Sequence, residues 1–262
     1  MQIGFIGLGR IGMAMLERLC LAELAVCCYA RRAEVNDAAS ALGADVLDSA
    51  RAVAERAELL LVCLYNDEQL RELLLGPDGL CHHLRRGAIV VLHTTGSPKT
   101  TEAIAKAAAA RQAVVLDAPI SGGPHDIRVG KVTLLVGGEA RALERCRLVL
   151  SCYADPILHI GPLGSGQQTK LINNLLFGAQ LALVAEASRL MERFGLHPQQ
   201  AFRAISHCSG NSEVLRLALN SGSVERLVAS AGDFIAKDRR TAEAVAEELE
   251  VDLGVLELAR QV

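Results

Sequence analysis

Residues 3–16 read IGFIGLGRIGMAML, and this stretch decides the fold of the chain. A short apolar run ends at Ile6, the spacing Gly7-x-Gly9-x-x-Gly12 follows at once, and apolar residues then recur with the period of a helix. This is the strand–turn–helix order that a dinucleotide-binding fingerprint requires. The first glycine allows a tight turn, the second lets the backbone approach a pyrophosphate, and the third lets the helix pack close to the strand. The predicted cofactor-binding residues of this turn are Gly7, Leu8, Gly9, Arg10, Ile11 and Gly12. A glycine-rich turn that binds nothing is the alternative.

The second predicted strand, residues 25–30, ends where NAD-binding proteins usually carry an acidic residue for the ribose. That place holds Arg31 and Arg32, and the first acid is Glu34. A carboxylate there would bind the ribose hydroxyls and repel a 2′-phosphate, whereas a planar guanidinium pairs well with a phosphate. The sequence therefore favours NADP(H). NAD(H) is the alternative, if the two arginines only solvate a loop.

Predicted strands and helices alternate through the first part of the chain. Helices are expected at 35–42, 50–57, 67–75, 98–111 and 140–150, and further strands at 44–46, 59–64, 88–92, 113–116, 131–136 and 155–160. This alternation predicts an α/β fold, a Rossmann-type doubly wound sheet. After the glycine-rich residues 161–166 the apolar period is helical throughout, which predicts an all-α C-terminal domain. We expect a cofactor-binding domain over 1–162. A helical substrate and dimerisation domain over 163–262 is expected to begin with a long interdomain helix.

The composition narrows the class of protein. Of the 262 residues, 51% are hydrophobic and 22% are charged, which argues against disorder. The formal net charge of −3 provides no basic field for nucleic acid or an anionic membrane. No apolar run reaches the length that spans a bilayer, and the N-terminus lacks the basic segment of a signal peptide. The eight cysteines lack paired metal-ligand spacing. We therefore expect a cytoplasmic protein with reduced thiols and with no metal, nucleic acid or membrane partner.

Residues 164–174, GSGQQTKLINN, carry the strongest chemical signal. A glycine-rich turn leads into an apolar helix on which Lys170 and Asn174 lie four residues apart, and therefore on one face. A lysine can carry a proton and a neighbouring amide can hold a hydrogen bond, which suits acid/base chemistry on a small oxygen-bearing substrate. An isolated Lys-x-x-x-Asn is more often a solvated surface feature, so the interpretation depends on the other motifs.

A third motif is the stretch 117–123, DAPISGG, which follows a predicted strand. The carboxyl ends of strands are where open α/β sheets bind ligands. Ser121 offers a hydroxyl, and Gly122 and Gly123 offer backbone N–H groups that together can hold a carboxylate. A plain tight turn is the alternative.

Taken in order, these motifs resemble the β-hydroxyacid dehydrogenases. The family's opening pattern matches residues 4–12, its Asp-x-Pro-x-Ser-Gly-Gly loop matches 117–123, and its Gly-x-Gly-x-x-x-Lys-x-x-Asn-Asn motif matches 164–174. The resemblance extends over nearly the whole chain. It implies hydride transfer between a nicotinamide cofactor and a small β-hydroxy acid or semialdehyde acid.

The resemblance also implies roles for particular residues. Lys170 would be the general acid/base and Asn174 would position the substrate and the lysine. Ser121, Gly122 and Gly123 would bind the substrate carboxylate. Further cofactor contacts would come from Leu64, Tyr65, Thr95 and Lys237.

Departures from the family pattern leave the substrate open. Residues 124–127, PHDI, replace the usual small residues after the Ser-Gly-Gly stretch, and Gly96 replaces a branched residue. Asn173 stands where 6-phosphogluconate dehydrogenases have a histidine. Imine reductases of this fold usually lack the lysine. The two alternatives are an imine reductase-like enzyme and a non-catalytic NADP-binding interaction protein. A homodimer or homotetramer is expected, because the helical domain is rich in apolar residues.

Overall fold

The computed structural model describes residues 1–248 and 250–261. The chain forms two compact units, Met1–Lys170 and Leu171–Val262. The first unit is a layered α/β fold and the second is built from helices. The Rossmann-type sheet and the helical C-terminal part predicted from the sequence are both confirmed.

The sheet of the first unit has parallel strands in its main part. The strand bounds are β1 Ile3–Ile6, β2 Val26–Tyr29, β3 Asp45–Val46, β4 Leu59–Val62, β5 Ile89–Leu92, β6 Val114–Asp117, β7 Ile120–Ser121, β8 Val132–Gly137 and β9 Ala154–Gly161. Strands β3, β2, β1, β4, β5 and β6 lie side by side in that order, all parallel. The strand β8 pairs antiparallel with both β6 and β7, and β9 pairs parallel with β8.

The register brings the carboxyl ends of the central strands to one level. Ile6 is opposite Val62, Val62 is opposite Leu92, and Leu92 is opposite Asp117. The loops that follow β1, β4, β5 and β6 therefore leave the sheet along a single edge. The order of strands also reverses at β1, which is flanked by β2 and β4, and such reversal points are where α/β sheets bind ligands.

Helices cover both faces of this sheet, which is why the central strands are apolar throughout. Phe5, Leu61 and Val91 belong to one buried cluster, and their sequence neighbours Leu60 and Val90 belong to the other. Each fully buried side chain of this kind stabilises the fold by about 1.5–3 kcal/mol. The helices of this unit are α1 Arg10–Leu21, α2 Ala33–Ala41, α3 Ala50–Arg56, α4 Asp67–Leu75, α5 Pro98–Ala108, α6 Pro124–Arg128 and α7 Ala140–Leu150.

The second unit has a core of its own. Its buried cluster includes Leu181, Met191, Phe202 and Leu215. Gly178 allows close packing, because a Cβ at this position would crowd Ala259. The helices are α8 Ser165–Arg193, whose first residues belong to the first unit, then α9 Pro198–Ile205, α10 Glu213–Ser221 and α11 Val224–Glu248, with a 3₁₀ segment Gly254–Gln261.

Helix α8 is also long and apolar enough to cross a membrane by length and composition, with a mean hydropathy of 1.2 over its most apolar stretch. The sequence pattern does not indicate such a helix, because polar residues interrupt the apolar run. One such helix is weak support for a membrane span, since core helices of soluble proteins pass the same test.

Candidate active site

The glycine turn after β1 is packed tightly on one side and open on the other. Gly7 has a φ of +98°, and a Cβ there would overlap the carbonyl oxygen of Cys63 at the end of β4. A Cβ at Gly12 would overlap the carbonyl oxygen of Gly7. At Gly9, in contrast, a Cβ would meet nothing within 4 Å among the described atoms. Gly9 is the N-cap of α1, so the positive end of the helix dipole faces this open space, which suits a pyrophosphate.

The end of β2 presents two arginines beside this turn, because β2 is the direct neighbour of β1. Arg31 and Arg32 are exposed, and Arg32 makes a loose ion pair of 3.5 Å with Glu34. The amide side chain of Asn36 bonds to both backbone groups of Ala30, at 2.9 and 3.0 Å, and fixes the path of the chain before the arginines. Two guanidinium groups therefore lie at the edge of the sheet where an adenine ribose would be bound.

The loops after β4 and β5 are tied together. The backbone N–H of Leu64 donates to the Thr94 hydroxyl at 2.8 Å. Thr95 is buried, and the side chain of Tyr65 is about half exposed. Leu64, Tyr65 and Thr95, predicted to flank the cofactor, thus belong to two loops that leave the same edge of the sheet as the glycine turn.

A buried carboxylate marks the end of β6. Asp117 is fully buried, and its two oxygens accept the backbone N–H groups of Gly164 at 2.7 Å and Gln167 at 2.8 Å. Burial raises the pKa of this carboxyl, and the backbone hydrogen bonds oppose that shift. Its charge lies at the start of α8, where the helix dipole favours an anion. Asp117 therefore fixes the helix that carries Lys170 to the sheet.

The Gln167 side chain makes a second attachment of the same helix. Its amide nitrogen donates to the Thr94 carbonyl at 2.8 Å, and its amide oxygen accepts the Gly96 N–H at 3.0 Å. Sequence reasoning missed this residue. In the sequence, Gln167 is only a polar residue between the glycine turn and Lys170, and the exposed Gln168 beside it fits the same description.

The Ser121–Gly123 stretch is part of an ordered turn. Ser121 ends β7, Gly122 has a φ of +127°, and the Gly123 N–H donates to the Asp126 carboxylate at 2.8 Å. The short helix α6 that follows was not foreseen from the sequence. In this structure the Gly123 N–H therefore caps the N-terminus of α6 by bonding to Asp126. Ser121 and Gly122 immediately precede this cap in the chain.

The remaining predicted residues lie on long helices. Lys170 is half-buried in the first turns of α8, and it ends the first unit. Asn174 lies four residues further along α8, in the second unit, where its side-chain oxygen accepts a hydrogen bond from Asn173 at 3.1 Å. Lys237 is half-buried on α11 of the second unit.

A buried histidine lies beside these loops and was not predicted as a site residue. His93, directly after β5, bonds through Nδ1 to the Ala118 carbonyl at 2.8 Å and through Nε2 to the Tyr153 hydroxyl at 2.9 Å. Because a carbonyl only accepts, Nδ1 carries the hydrogen and Nε2 accepts from the tyrosine. Burial lowers the pKa of His93 to about 4, so the ring is neutral at physiological pH.

Two protein-family models together match nearly the whole chain. The model of the NAD-binding domain of 6-phosphogluconate dehydrogenase matches residues 2–161. A model described as the NAD-binding part of NADP-dependent 3-hydroxyisobutyrate dehydrogenase matches residues 164–262.

Individual proteins similar to this chain are also hydroxyacid dehydrogenases. The 3-hydroxyisobutyrate dehydrogenase of Pseudomonas aeruginosa is 34% identical over 216 residues, which cover 82% of this chain and 72% of that protein. The L-threonate dehydrogenase of Cupriavidus necator is 31% identical over 212 residues, 80% of this chain and 71% of that protein. A crystal structure of 3-hydroxyisobutyrate dehydrogenase from Salmonella typhimurium gives a TM-score of 0.82 at 28% identity, covering 99% of this chain and 92% of that one.

Proposed function

The chain belongs to the β-hydroxyacid dehydrogenase family, and on this basis we propose which residues bind the cofactor, bind the substrate and transfer the proton. It is an NAD(P)-dependent oxidoreductase that acts on small hydroxy acids. The observation that carries the assignment of roles is the attachment of the Lys170 helix to the edge of the sheet where the glycine turn lies.

The residues around the glycine turn fit a dinucleotide. The space beside Gly9 and the N-terminus of α1 suit a pyrophosphate. We assign Gly7, Leu8, Gly9, Arg10, Ile11 and Gly12 to this contact, with Leu64, Tyr65, Thr95 and Lys237 as further cofactor-binding residues. When bound, the nicotinamide supplies the carbon that accepts or donates the hydride.

Arg31 and Arg32 support a preference for NADP(H). They are exposed at the end of β2, and Arg32 makes a loose ion pair of 3.5 Å with Glu34. Two guanidinium groups stabilise a 2′-phosphate through charge-assisted hydrogen bonds. NAD(H) would lack that contact and bind more weakly.

Lys170 handles the proton of the reaction. As the substrate hydroxyl becomes a carbonyl, its oxygen loses a proton, and Lys170 Nζ takes that proton; in the reverse direction Nζ donates it. Asn174, one helical turn further on, holds the substrate oxygen and the lysine in line. We assign the carboxylate to Ser121, Gly122 and Gly123, with the Gly123 N–H exchanging the Asp126 carboxylate for that of the substrate. This contact keeps the hydroxyl-bearing carbon in one orientation.

We assign dimerisation to the helical domain, residues 163–262. Exposed apolar side chains recur along α8, and a soluble protein usually covers such a row. They are Ile172, Leu176, Leu183 and Leu190. A homodimer or homotetramer covers this row with a second copy, and a cytoplasmic enzyme without nucleic acid or membrane partners fits the net charge of −3.

The test is oxidation of NADPH and NADH by the purified protein with a panel of small aldehyde acids: glyoxylate, succinic semialdehyde, tartronate semialdehyde and methylmalonate semialdehyde. The variant Lys170→Met keeps the length of the side chain and removes the proton carrier. We expect turnover with at least one acid, faster with NADPH, and a loss of kcat of about 100-fold or more in the variant. NADPH affinity, measured by nicotinamide fluorescence, is expected to stay within about twofold of the parent. Tight NADPH binding without turnover on any acid would instead favour the non-catalytic interaction protein.

A further inference from the structure

Gln167 bonds directly to two places at the sheet edge, through one buried side chain and its own backbone, and reaches a third through Thr94. The residue is 1% exposed. Both ends of its amide are bonded to the loop after β5, at the Thr94 carbonyl and the Gly96 N–H. Its backbone N–H is bonded to Asp117 at the end of β6. The Thr94 hydroxyl in turn accepts the N–H of Leu64, so the chain of hydrogen bonds reaches the end of β4 as well.

Two attachments to different parts of the sheet restrict a helix more than one does. The backbone N–H groups of Gly164 and Gln167 attach the first turn of α8 to Asp117 at the end of β6. The Gln167 side chain attaches the same turn to the loop after β5. A rotation of this turn about the helix axis would move both sets of donors and acceptors away from their partners. Lys170 follows three residues later, about one turn further on, so a rotation of the first turn would carry the lysine sideways with it.

The other end of this chain of bonds is the backbone proposed to flank the nicotinamide. Hydride and proton leave the same carbon–oxygen unit of the substrate, so the hydride-transferring position and Lys170 Nζ need a fixed separation. A displacement of about 1 Å at a reacting group can cost about 100-fold in rate.

We propose that Gln167 is a positioning residue that sets Lys170 relative to the cofactor-side loops at Leu64 and Thr94. The inference rests on the proposed function, since it needs Lys170 to carry the proton. Gln167 touches neither substrate nor cofactor in this role, and it acts only through the lysine.

The chain provides a matched control for this role. Gln168 is the same residue type, stands next along the same helix and is exposed, whereas Gln167 is buried. The pair Gln167→Met and Gln168→Met therefore makes the same chemical change in both places, and only the first removes the buried amide. Met has a similar volume and keeps helix propensity.

The experiment compares kcat, KM and NADPH affinity of these two variants with the parent enzyme, on the acid that gives the fastest turnover. We expect Gln167→Met to lower kcat by about 10- to 100-fold, with NADPH affinity within about twofold, and Gln168→Met to match the parent. Thermal unfolding followed by circular dichroism identifies a variant that has failed to fold. For that case Gln167→Asn serves as a second variant. It keeps a neutral amide without introducing a buried charge, but its shorter side chain cannot reach both the Thr94 carbonyl and the Gly96 N–H, so it is expected to fall between the parent and Gln167→Met.

A double-mutant cycle separates positioning from a merely structural role. In the Lys170→Met background, Gln167→Met is expected to change the residual kcat by less than about twofold, because the residue through which it acts is gone. An unchanged kcat in the single variant, or equal losses in both backgrounds, would overturn the inference while leaving the dehydrogenase assignment intact. A parent enzyme without turnover on the whole panel would contradict the proposed function and, with it, the role of Gln167.

Discussion

Tyr153 donates its hydroxyl to Nε2 of His93 at 2.9 Å, across 60 positions of the sequence. The two rings meet edge to face, with centroids 5.7 Å apart, and both are buried. His93 stands directly after β5 and Tyr153 directly before β9, while the other imidazole nitrogen bonds to Ala118 after β6. One neutral histidine therefore connects three parts of the sheet, next to the loops assigned to the cofactor and the substrate.

The depressed pKa of His93 predicts a loss of stability in mild acid. Between pH 6.5 and about 4 the unfolded chain binds a proton at this residue that the folded protein does not bind. The free energy of unfolding therefore falls as the pH drops below 6.5 and stops falling from this cause near pH 4. A pKa lowered from 6.5 to about 4 corresponds to about 3 kcal/mol at full effect.

Urea unfolding of the parent and of His93→Gln, at pH 7.0 and at pH 4.5, measures the contribution of His93 to the pH dependence of the free energy of unfolding. Carboxylates titrate in both proteins, so only the difference between their pH dependences reports on the histidine. We expect the parent to lose more stability than the variant over this range. Parallel pH dependences would show that His93 is not the acid-sensitive group.

Tyr153→Phe tests the hydrogen bond without opening a cavity. The variant keeps the ring and leaves Nε2 of His93 buried without its donor, which typically costs about 1–3 kcal/mol. We expect a lower urea midpoint with an unchanged m-value. As a comparison, Tyr29→Phe removes a hydroxyl from a partly exposed tyrosine at the end of β2 and should leave stability within about 0.5 kcal/mol. Equal stability of both variants would argue that the buried hydrogen bond contributes nothing net.

The glycine turn predicts opposite outcomes for two alanine substitutions. Gly12→Ala places a methyl group against the Gly7 carbonyl, and we expect it to lower the melting temperature and abolish NADPH binding together. Gly9→Ala has open space around the added methyl, so the fold is expected to keep its melting temperature. That methyl lies where a pyrophosphate would approach, and we expect NADPH affinity to fall by about tenfold or more. Unchanged NADPH affinity in Gly9→Ala would show that the pyrophosphate of the cofactor does not bind beside Gly9.

Replacing both arginines after β2 tests the cofactor preference. In the double variant Arg31→Ala/Arg32→Ala, we expect kcat/KM for NADPH to fall by about tenfold or more and that for NADH to change by less than about threefold. The measured quantity is the ratio of the two kcat/KM values at fixed ionic strength, because screening weakens phosphate contacts. Charge removal at the similarly exposed Arg86 is the control. An equal loss with both cofactors would assign the arginines a role other than recognition of the 2′-phosphate.

The fold could be predicted because its signals are local. The glycine spacing at residues 7–12 and the apolar strands need no knowledge of distant partners, and the predicted strands and helices of the first unit are present. The strand β7 and helix α6 were missed. Each has five residues or fewer, too short for a periodic pattern to show.

The site could be predicted only where a residue carries a recognisable chemical role. Sequence could not distinguish Gln167 from Gln168, since the partners that bury the first lie about 70 positions away. It placed Asp117 at the start of a substrate loop, whereas its carboxylate is buried as the anchor of α8. Such roles depend on which strand ends become neighbours, and this is a property of the folded sheet.

The lack of space between Gly7, Gly12 and the end of β4 means that the glycine turn takes its final shape when the sheet forms. The entropy cost of ordering it therefore falls on folding and not on association with the nucleotide. By thermodynamic linkage, a nucleotide bound at this turn as proposed would raise the free energy of unfolding by about 2.7 kcal/mol at one hundred times its dissociation constant. Coenzyme supply and resistance to heat would then be coupled through this one turn.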